Sequence, residues 1–320
     1  MNWTANDIPS QTGRRVVITG ANSGIGFEAA LELARRGAEV VLPARSEAKA
    51  VDAVRRIEAA VPGAKVMPAI LDLASLASVR AFAVFYAERF PGQSLDLLIN
   101  NAGVMAVPKR ELTEDGYERQ FATNYLGPFA LTAQLFPHLK HQEGTRVVTV
   151  ASSAANMAKI EFDNLQSERV YKPMFGAYSQ SKLADLVFAQ ELQRRLTAAG
   201  SPILSTAAHP GYAVTNLQTS GPGSEGFSAL RIVIAVMKPF LSQDAAQGAL
   251  PTLMAATMPE ATPGGYYGPS GFQELKGLPG PAKITPADKD QALATRLWAE
   301  SERLTRVSFP DIVLTMRIPS

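Results

Sequence analysis

A tyrosine and a lysine stand four residues apart in GAYSQSKL (176–183), as Tyr178 and Lys182. On a helix that spacing puts both side chains on one face, about 5–6 Å apart at their Cβ atoms. Unperturbed, a phenol titrates near ~10 and a lysine near ~10.4, so neither is reactive alone at neutral pH. A cation held beside a phenol favours the phenolate and makes it a usable proton donor and acceptor. The plainer alternative is a tyrosine packed over the aliphatic stem of a surface lysine, and this spacing arises readily by chance. The octet acquires meaning only from its surroundings.

A second group of residues could bind rather than react. TGANSGIG carries Gly20, Gly24 and Gly26 in a G-x3-G-x-G spacing, with Asn22, Ser23 and Ile25 between them. A glycine cluster that leaves a strand and opens a helix lets the backbone approach a pyrophosphate, whose charge meets the free N–H groups of the helix N-terminus. Further polar residues fall at the ends of successive strand-like runs. Arg45 follows the second, Asp72 and Leu73 the third, Asn101, Ala102 and Gly103 the fourth, and Ser152 and Ser153 the fifth. Asp72 and Ser75 also suit a helix cap, and Asn101-Ala102-Gly103 a plain turn. At the second strand no carboxylate is present to accept from ribose hydroxyls. Arg45 instead suits a bidentate grip on a 2′-phosphate, with Ser46 as an added donor, which predicts NADP(H) over NAD(H); the alternative is an arginine pointing to water.

The elements that must position these residues alternate. Strand-like runs occur at 14–20, 38–44, 65–71, 95–100, 145–151 and 202–210. Between them FEAALELARRG, EAKAVDAVRRIEAA, SVRAFAVFYAERF and a long stretch from Thr113 to His141 carry apolar residues at helical spacing. Alternation of this kind predicts an α/β fold, a doubly wound parallel sheet covered on both faces. No linker or repeat divides it, so one domain is expected, with a nucleotide-binding core over about 13–211 and a substrate lid over about 212–306. In that second part FSALRIVIAVMKPFL (227–241) is an apolar helix candidate, either a lid over a lipophilic substrate or a core or subunit-contact helix. The run 242–256 continues helically with Pro251 kinking or breaking it. The Gly/Pro-rich stretch 262–283 reads as irregular, and a last amphipathic helix spans about Pro286 to Arg306.

Composition removes several classes of function. The 320 residues are 46% hydrophobic and 19% charged, with a net charge of +2, and no basic tract interleaved with aromatics suggests nucleic acid. Cysteine is absent, which excludes disulfides, thiolate metal sites and a cysteine nucleophile. Of the three histidines, His138 and His141 read as a solvated helix end rather than a metal site. No basic-then-apolar leader and no run of ~20 apolar residues is present, so a cytoplasmic location without a membrane span is expected.

Taken in order, TGANSGIG, LDL, NNAG, the serine after the fifth strand and YSQSK resemble the short-chain dehydrogenase/reductase family over about residues 13–215. NNAGVM, TEDGYERQFATNYLGPFALT, IEFDNLQ and GYYGP are similar to the subgroup of retinol dehydrogenases, protochlorophyllide reductase and their bacterial relatives. The resemblance implies a Rossmann fold, a nicotinamide cofactor and a small-molecule carbonyl or alcohol substrate. It assigns the chemistry to Asn124, Ser152, Tyr178 and Lys182, with Ser153 the alternative to Ser152. It adds Pro210, Gly211 and Thr215 at the nicotinamide end, leaves His209 structural, and implies a possible homodimer. Tyr125 and Pro128 depart from the histidines common in the subgroup, and are expected to reshape the pocket wall. Two other readings share the scaffold: an NADP(H)-binding regulator without turnover, and a reductase of a C=C bond. Light-driven reduction is disfavoured by the missing cysteine.

Overall fold

β1 (Arg15–Ile18), β2 (Glu39–Ala44), β3 (Lys65–Ile70), β4 (Leu97–Asn100), β5 (Arg146–Val150) and β6 (Leu204–Ala208) form the parallel sheet that the alternation predicts. The computed structural model describes residues 2–92, 94–212, 243–284 and 286–309. Between the strands run α1 (Gly24–Arg35), α2 (Glu47–Ala60), α3 (Leu76–Arg89), α4 (Arg119–Phe121), α5 (Gly127–Leu135) and α6 (Ser179–Ala198). Strand order is β3-β2-β1-β4-β5-β6-β7-β8, so the winding reverses between β1 and β4. A crevice therefore opens beyond the carboxyl ends of those strands, where such sheets bind ligands.

Both faces of the sheet are apolar because successive side chains alternate between two cores. Val17, Leu98 and Val147 join the cluster built on α3, α5 and α6, whereas Val16, Ile18, Leu97, Ile99 and Val148 join the one under α1 and α2. Each fully buried aliphatic side chain contributes about 1.5–3 kcal/mol, so the strands hold themselves by burial more than by propensity.

The C-terminal part departs from expectation. α7 (Ala245–Thr257), capped by Asp244, runs on through Pro251 without a break. The stretch 262–283 is not irregular: β7 (Tyr266–Pro269) pairs parallel with β6, and β8 (Pro279–Pro281) pairs antiparallel with β7. Prolines are tolerated in β8 because it is the last strand of the sheet. A short 3-10 turn, Pro286–Lys289, precedes α8 (Gln291–Thr305), which starts at its Asp290 cap rather than at Pro286. Buried Arg146 donates to the Ala255 and Met258 carbonyls at the end of α7, at 2.9 and 2.6 Å. Burial pulls its guanidinium down to about 10. The candidate lid 227–241 lies outside the described residues.

Candidate active site

At the phosphate end the backbone makes the site. Gly20 and Gly24 take positive φ of 69° and 58°, a region that side chains other than glycine rarely adopt. A Cβ on Gly20 would sit 2.8 Å from the Ala102 Cα, and one on Gly26 would meet the Gly20 carbonyl oxygen at 2.6 Å and the Asn101 amide. The loop thus packs directly on the turn after β4. Thr19 ties the two together: its Oγ1 accepts from the Asn101 and Ala102 amides at 3.0 Å each, and its carbonyl accepts from Asn101 Nδ2 at 2.8 Å. The Ser23 side chain, at the N-cap of α1, makes no cap hydrogen bond, so it does not compete for the first-turn amides. Asn22 and Ile25 belong to the same loop. A diphosphate fits this loop and helix end by charge and by close backbone approach.

Arg45 is exposed directly after β2, as the sequence predicts. Arg56, which the sequence reading missed, reaches the loop from α2: its Nη1 donates to the Asn22 carbonyl at 3.2 Å and its guanidinium lies 3.8 Å from the Phe27 ring centroid. Its chain position alone carries no signal for that contact. Asp72 Oδ1 accepts from Ala74 N at 2.9 Å, and Ser75 caps α3 by accepting from Ser78 N at 3.2 Å. The capping alternative therefore holds for Ser75, and Asp72 makes a local turn. Leu73 is buried, with its carbonyl against Gly127.

The other end is built on two π-helical turns, at Ala122–Leu126 and Pro173–Tyr178. The stretch 113–141 is accordingly not one regular helix but α4, a π turn, α5 and a 3-10 turn. Pro128 has no N–H to give the Asn124 carbonyl, so an α-helical bond cannot form there, and one residue earlier Gly127 N bonds to the Ala122 carbonyl five residues back, the π pattern. Such turns recur at functional sites. The Asn124 side chain is fixed on three sides. Its Oδ1 accepts from Val104 N at 2.7 Å, and its Nδ2 donates to the Val104 carbonyl and to Ser181 Oγ, both at 2.9 Å.

Tyr125 and Pro128 do not reshape a pocket wall. Both are buried in the core, Tyr125 at 1% exposure, ringed by Phe121, Phe129 and Phe188, with its hydroxyl 2.6 Å from Ser301 Oγ on α8.

Tyr178 ends the second π turn and opens α6, one turn before Lys182. Lys182 is buried at 5% exposure, and its Nζ donates to the Val150 carbonyl at the end of β5, at 2.9 Å. That bond brings the lysine to the strand end from which Ser152 follows, so a surface lysine is excluded. Nζ also donates to Asp185 Oδ2 at 2.8 Å. Burial opposes the ammonium, but the Asp185 and Tyr178 charges and the Asp185 hydrogen bond outweigh it and hold Lys182 above the usual lysine range. Burial pushes the Asp185 carboxyl up to about 7, against the pull of Lys182. Asp185 was not visible as a site residue, since an aspartate in a helix reads as a solvated face.

Ser152 caps the turn Ser153–Met157, its Oγ accepting from Ala154 N at 3.2 Å, while Ser153 is the first residue of that turn. The absent side chain of Gly103 keeps space beside Asn124 and Lys182: a Cβ there would lie 3.2 Å from Asn124 Oδ1 and 3.6 Å from Lys182 Nζ. Pro210 and Gly211 follow β6, Gly211 with φ 65° against the Leu275 carbonyl. His209 is fully buried and 3.1 Å from Glu274 Oε2. Thr215 lies outside the described residues. Among the described residues no cluster of three acidic or histidine side chains could hold a metal ion, and no helix is long and apolar enough to cross a membrane.

Residues 14–223 match the family model for short chain dehydrogenases. The chain is 39% identical to human (Homo sapiens) retinol dehydrogenase 13 over 305 residues, covering 94% of this chain and 87% of that one. It is 38% identical to mouse (Mus musculus) polyprenol dehydrogenase, covering 93% and 85%. A crystal structure of an uncharacterised protein from Mycobacterium paratuberculosis superposes with a TM-score of 0.78 at 43% identity, covering 97% of this chain and 100% of that one. A short chain dehydrogenase from Burkholderia cenocepacia, solved in complex with NADP, gives 0.61 at 26% identity, covering 80% and 96%. Fold, ordered motifs and relatives agree: the chain belongs to the short-chain dehydrogenase/reductase family, in its retinol dehydrogenase-like subgroup.

Proposed function

We propose that the protein is an NADP(H)-dependent oxidoreductase acting between a lipophilic alcohol and its carbonyl, with Tyr178 as the acid–base group. The observation that carries this reading is Lys182, a buried ammonium fixed by the Val150 carbonyl and interacting with Tyr178. A cation fixed beside a phenol in a water-poor site favours the phenolate, which accepts a proton from an alcohol; the phenol returns it to a carbonyl oxygen. Ser152, at the end of β5, would donate a hydrogen bond to that oxygen and stabilise its developing charge. Asn124 has no proton to exchange; it keeps Ser181 and the Val104 backbone, and so the floor of the site, in place. When bound, the nicotinamide supplies the hydride donor or acceptor.

The residues assigned to hold the cofactor are Gly20, Asn22, Ser23, Gly24, Ile25 and Gly26 at the diphosphate, and Asp72, Leu73, Asn101, Ala102 and Gly103 along the strand ends. Tyr178, Lys182, Pro210, Gly211 and Thr215 take the nicotinamide end. Arg45 supports a 2′-phosphate and hence NADP(H), and the Burkholderia relative was solved with NADP.

Lipophilicity of the substrate rests on two side chains. Met157 is 66% exposed on the turn that Ser152 caps, and Phe175 is 69% exposed on the π turn that ends in Tyr178. Large apolar groups exposed on the two turns that carry the reacting side chains suit an apolar ligand. The relatives named for retinol and polyprenol fit the same class. A panel of alcohols, aldehydes and ketones, each with NADP(H) and NAD(H) and read at the nicotinamide absorbance, tests the reading. Turnover of bulky apolar substrates with NADP(H) is expected; faster turnover of small polar carbonyls would refute the substrate class.

A further inference from the structure

A carboxylate with no part in the chemistry above stands behind the lysine. Asp185 is 1% exposed and follows Lys182 by one turn of α6, with its Oδ2 2.8 Å from Nζ. Its Oδ1 has no partner among the described residues. Taking a carboxylate out of water is costly, and a partly satisfied ion pair is poor evidence of stabilisation. Val150 already supplies a neutral acceptor that fixes Nζ, so positioning the lysine does not require a charge. What a charge at this point does supply is an electrostatic counterweight to the ammonium that acts on Tyr178.

We propose that Asp185 sets the charge that Lys182 presents to Tyr178, so that the acid–base poise of the site responds to the protonation of that carboxyl. With Asp185 ionised, the pair is neutral overall and the field at the phenol is weak. With Asp185 protonated, the ammonium acts on the phenol uncompensated. The carboxyl is raised to about 7 by burial, opposed by Lys182, which places that change in the neutral range. Among the described residues the charged and titratable groups that face the pair are few. On its own helix these are Lys182 and Tyr178. From the π turn packed against α6 comes Tyr125, whose phenol is pushed up mainly by its own burial and, to a lesser degree, by Asp185, and whose hydroxyl is held by Ser301. β5 contributes only the neutral Val150 carbonyl. Lys182 is thus the group through which Asp185 acts, and Asp185 is a positioning residue in the electrostatic sense.

The inference rests on the proposed role of Tyr178 for its kinetic arm alone. Asp185→Asn keeps the shape of the side chain and removes its charge. In alcohol oxidation the kcat/KM profiles of wild type and variant are expected to coincide well below neutrality, where Asp185 carries its proton, and to separate above it. The variant should reach its plateau at a pH lower by about one unit, a ~10-fold gain in rate where they differ most, while Asp185→Glu stays near the wild-type profile. Near-ultraviolet phenolate absorbance, taken as the difference from Tyr178→Phe, should move the same way with no cofactor or substrate added. A third measurement needs no Asp185 variant to fold: the infrared stretch of a buried protonated carboxyl, present at pH 6 and lost above neutrality, read in Glu118→Gln as well as in the wild type because burial also raises Glu118. Profiles and absorbance titrations that stay superimposed above neutrality, or no such infrared band at pH 6, would overturn the proposal. If the wild-type protein turns over no alcohol, the proposed function fails, and the absorbance and infrared arms still decide for or against Asp185.

Discussion

Arg45 stands exposed after β2 and Arg56 exposed against the glycine loop, whereas Lys182 is buried at 5% exposure against Asp185. Both ends of the crevice present cations, yet the physics differs. An exposed guanidinium can capture a phosphate, and water and salt screen it, so it contributes affinity and choice between cofactors. A buried ammonium gains little from binding alone, but in a low dielectric its field acts strongly on the one phenol beside it. The phosphate end is also made of backbone and needs glycine, while the tyrosine end is made of side chains held in two π turns.

Substitutions that exchange these characters test the contrast. The largest shift is expected for Arg45→Asp, which should abolish a preference for NADPH over NADH of roughly 10- to 150-fold. It should leave NADH binding unchanged or improved in equilibrium titrations. The wild-type preference should also shrink with added salt, as an exposed contact requires. Equal affinity of the wild-type protein for both cofactors would remove Arg45 from the phosphate.

Gly26→Ala places a methyl against the Gly20 carbonyl and the Asn101 amide. Overpacking of this kind costs about 1–3 kcal/mol, read as a lower denaturation midpoint together with weaker cofactor binding. A neutral result would show that the loop and the turn after β4 are less tightly joined than the contacts require.

Stability against pH probes the buried end. Asp185 has its carboxyl at about 7 in the fold, against 3.8 for a free side chain. A raised carboxyl pKa means the folded state holds the proton more tightly. Its contribution is therefore full below about 3.8 and is lost as pH rises through about 7. The Tm difference between wild type and Asp185→Asn should accordingly move against the wild type from pH 5 to pH 8; a constant difference would contradict a buried, raised carboxyl.

The smallest effect is expected at the first π turn. Pro128→Ala restores an N–H that can bond to the Asn124 carbonyl and tighten the turn to an α-helix. A loss of turnover of only a few-fold is expected, with cofactor binding kept, in steady-state assays paired with equilibrium titration. An unchanged rate would show that Asn124 does not depend on the π geometry.

How far the sequence carries follows the same division. β1 to β6 and the glycine loop were readable because β-branched runs, glycine spacing and strand–helix alternation are local signals. β7 and β8 were not, since Gly265, Pro269, Pro279 and Pro281 read as loop until an edge of the sheet is there to receive them. The π turns escaped because Asn124 and Phe175 carry ordinary helical neighbours. Thr19 and Arg56 act through partners that only the fold brings near, and Asp185, though one turn from Lys182, reads as part of a solvated face until the fold buries the pair. Tyr125 was legible as a departure from the subgroup, but its burial against Phe188 and Ser301 depends on α6 and α8 packing together.

The central claim is that Tyr178 moves the proton. Tyr178→Phe keeps the ring and removes only the acid, so turnover with NADP(H) and the best substrate of the panel, measured beside NADPH affinity, isolates that step. A loss of at least ~100-fold in kcat with cofactor affinity kept is the predicted result. Near-normal turnover by Tyr178→Phe would contradict the account.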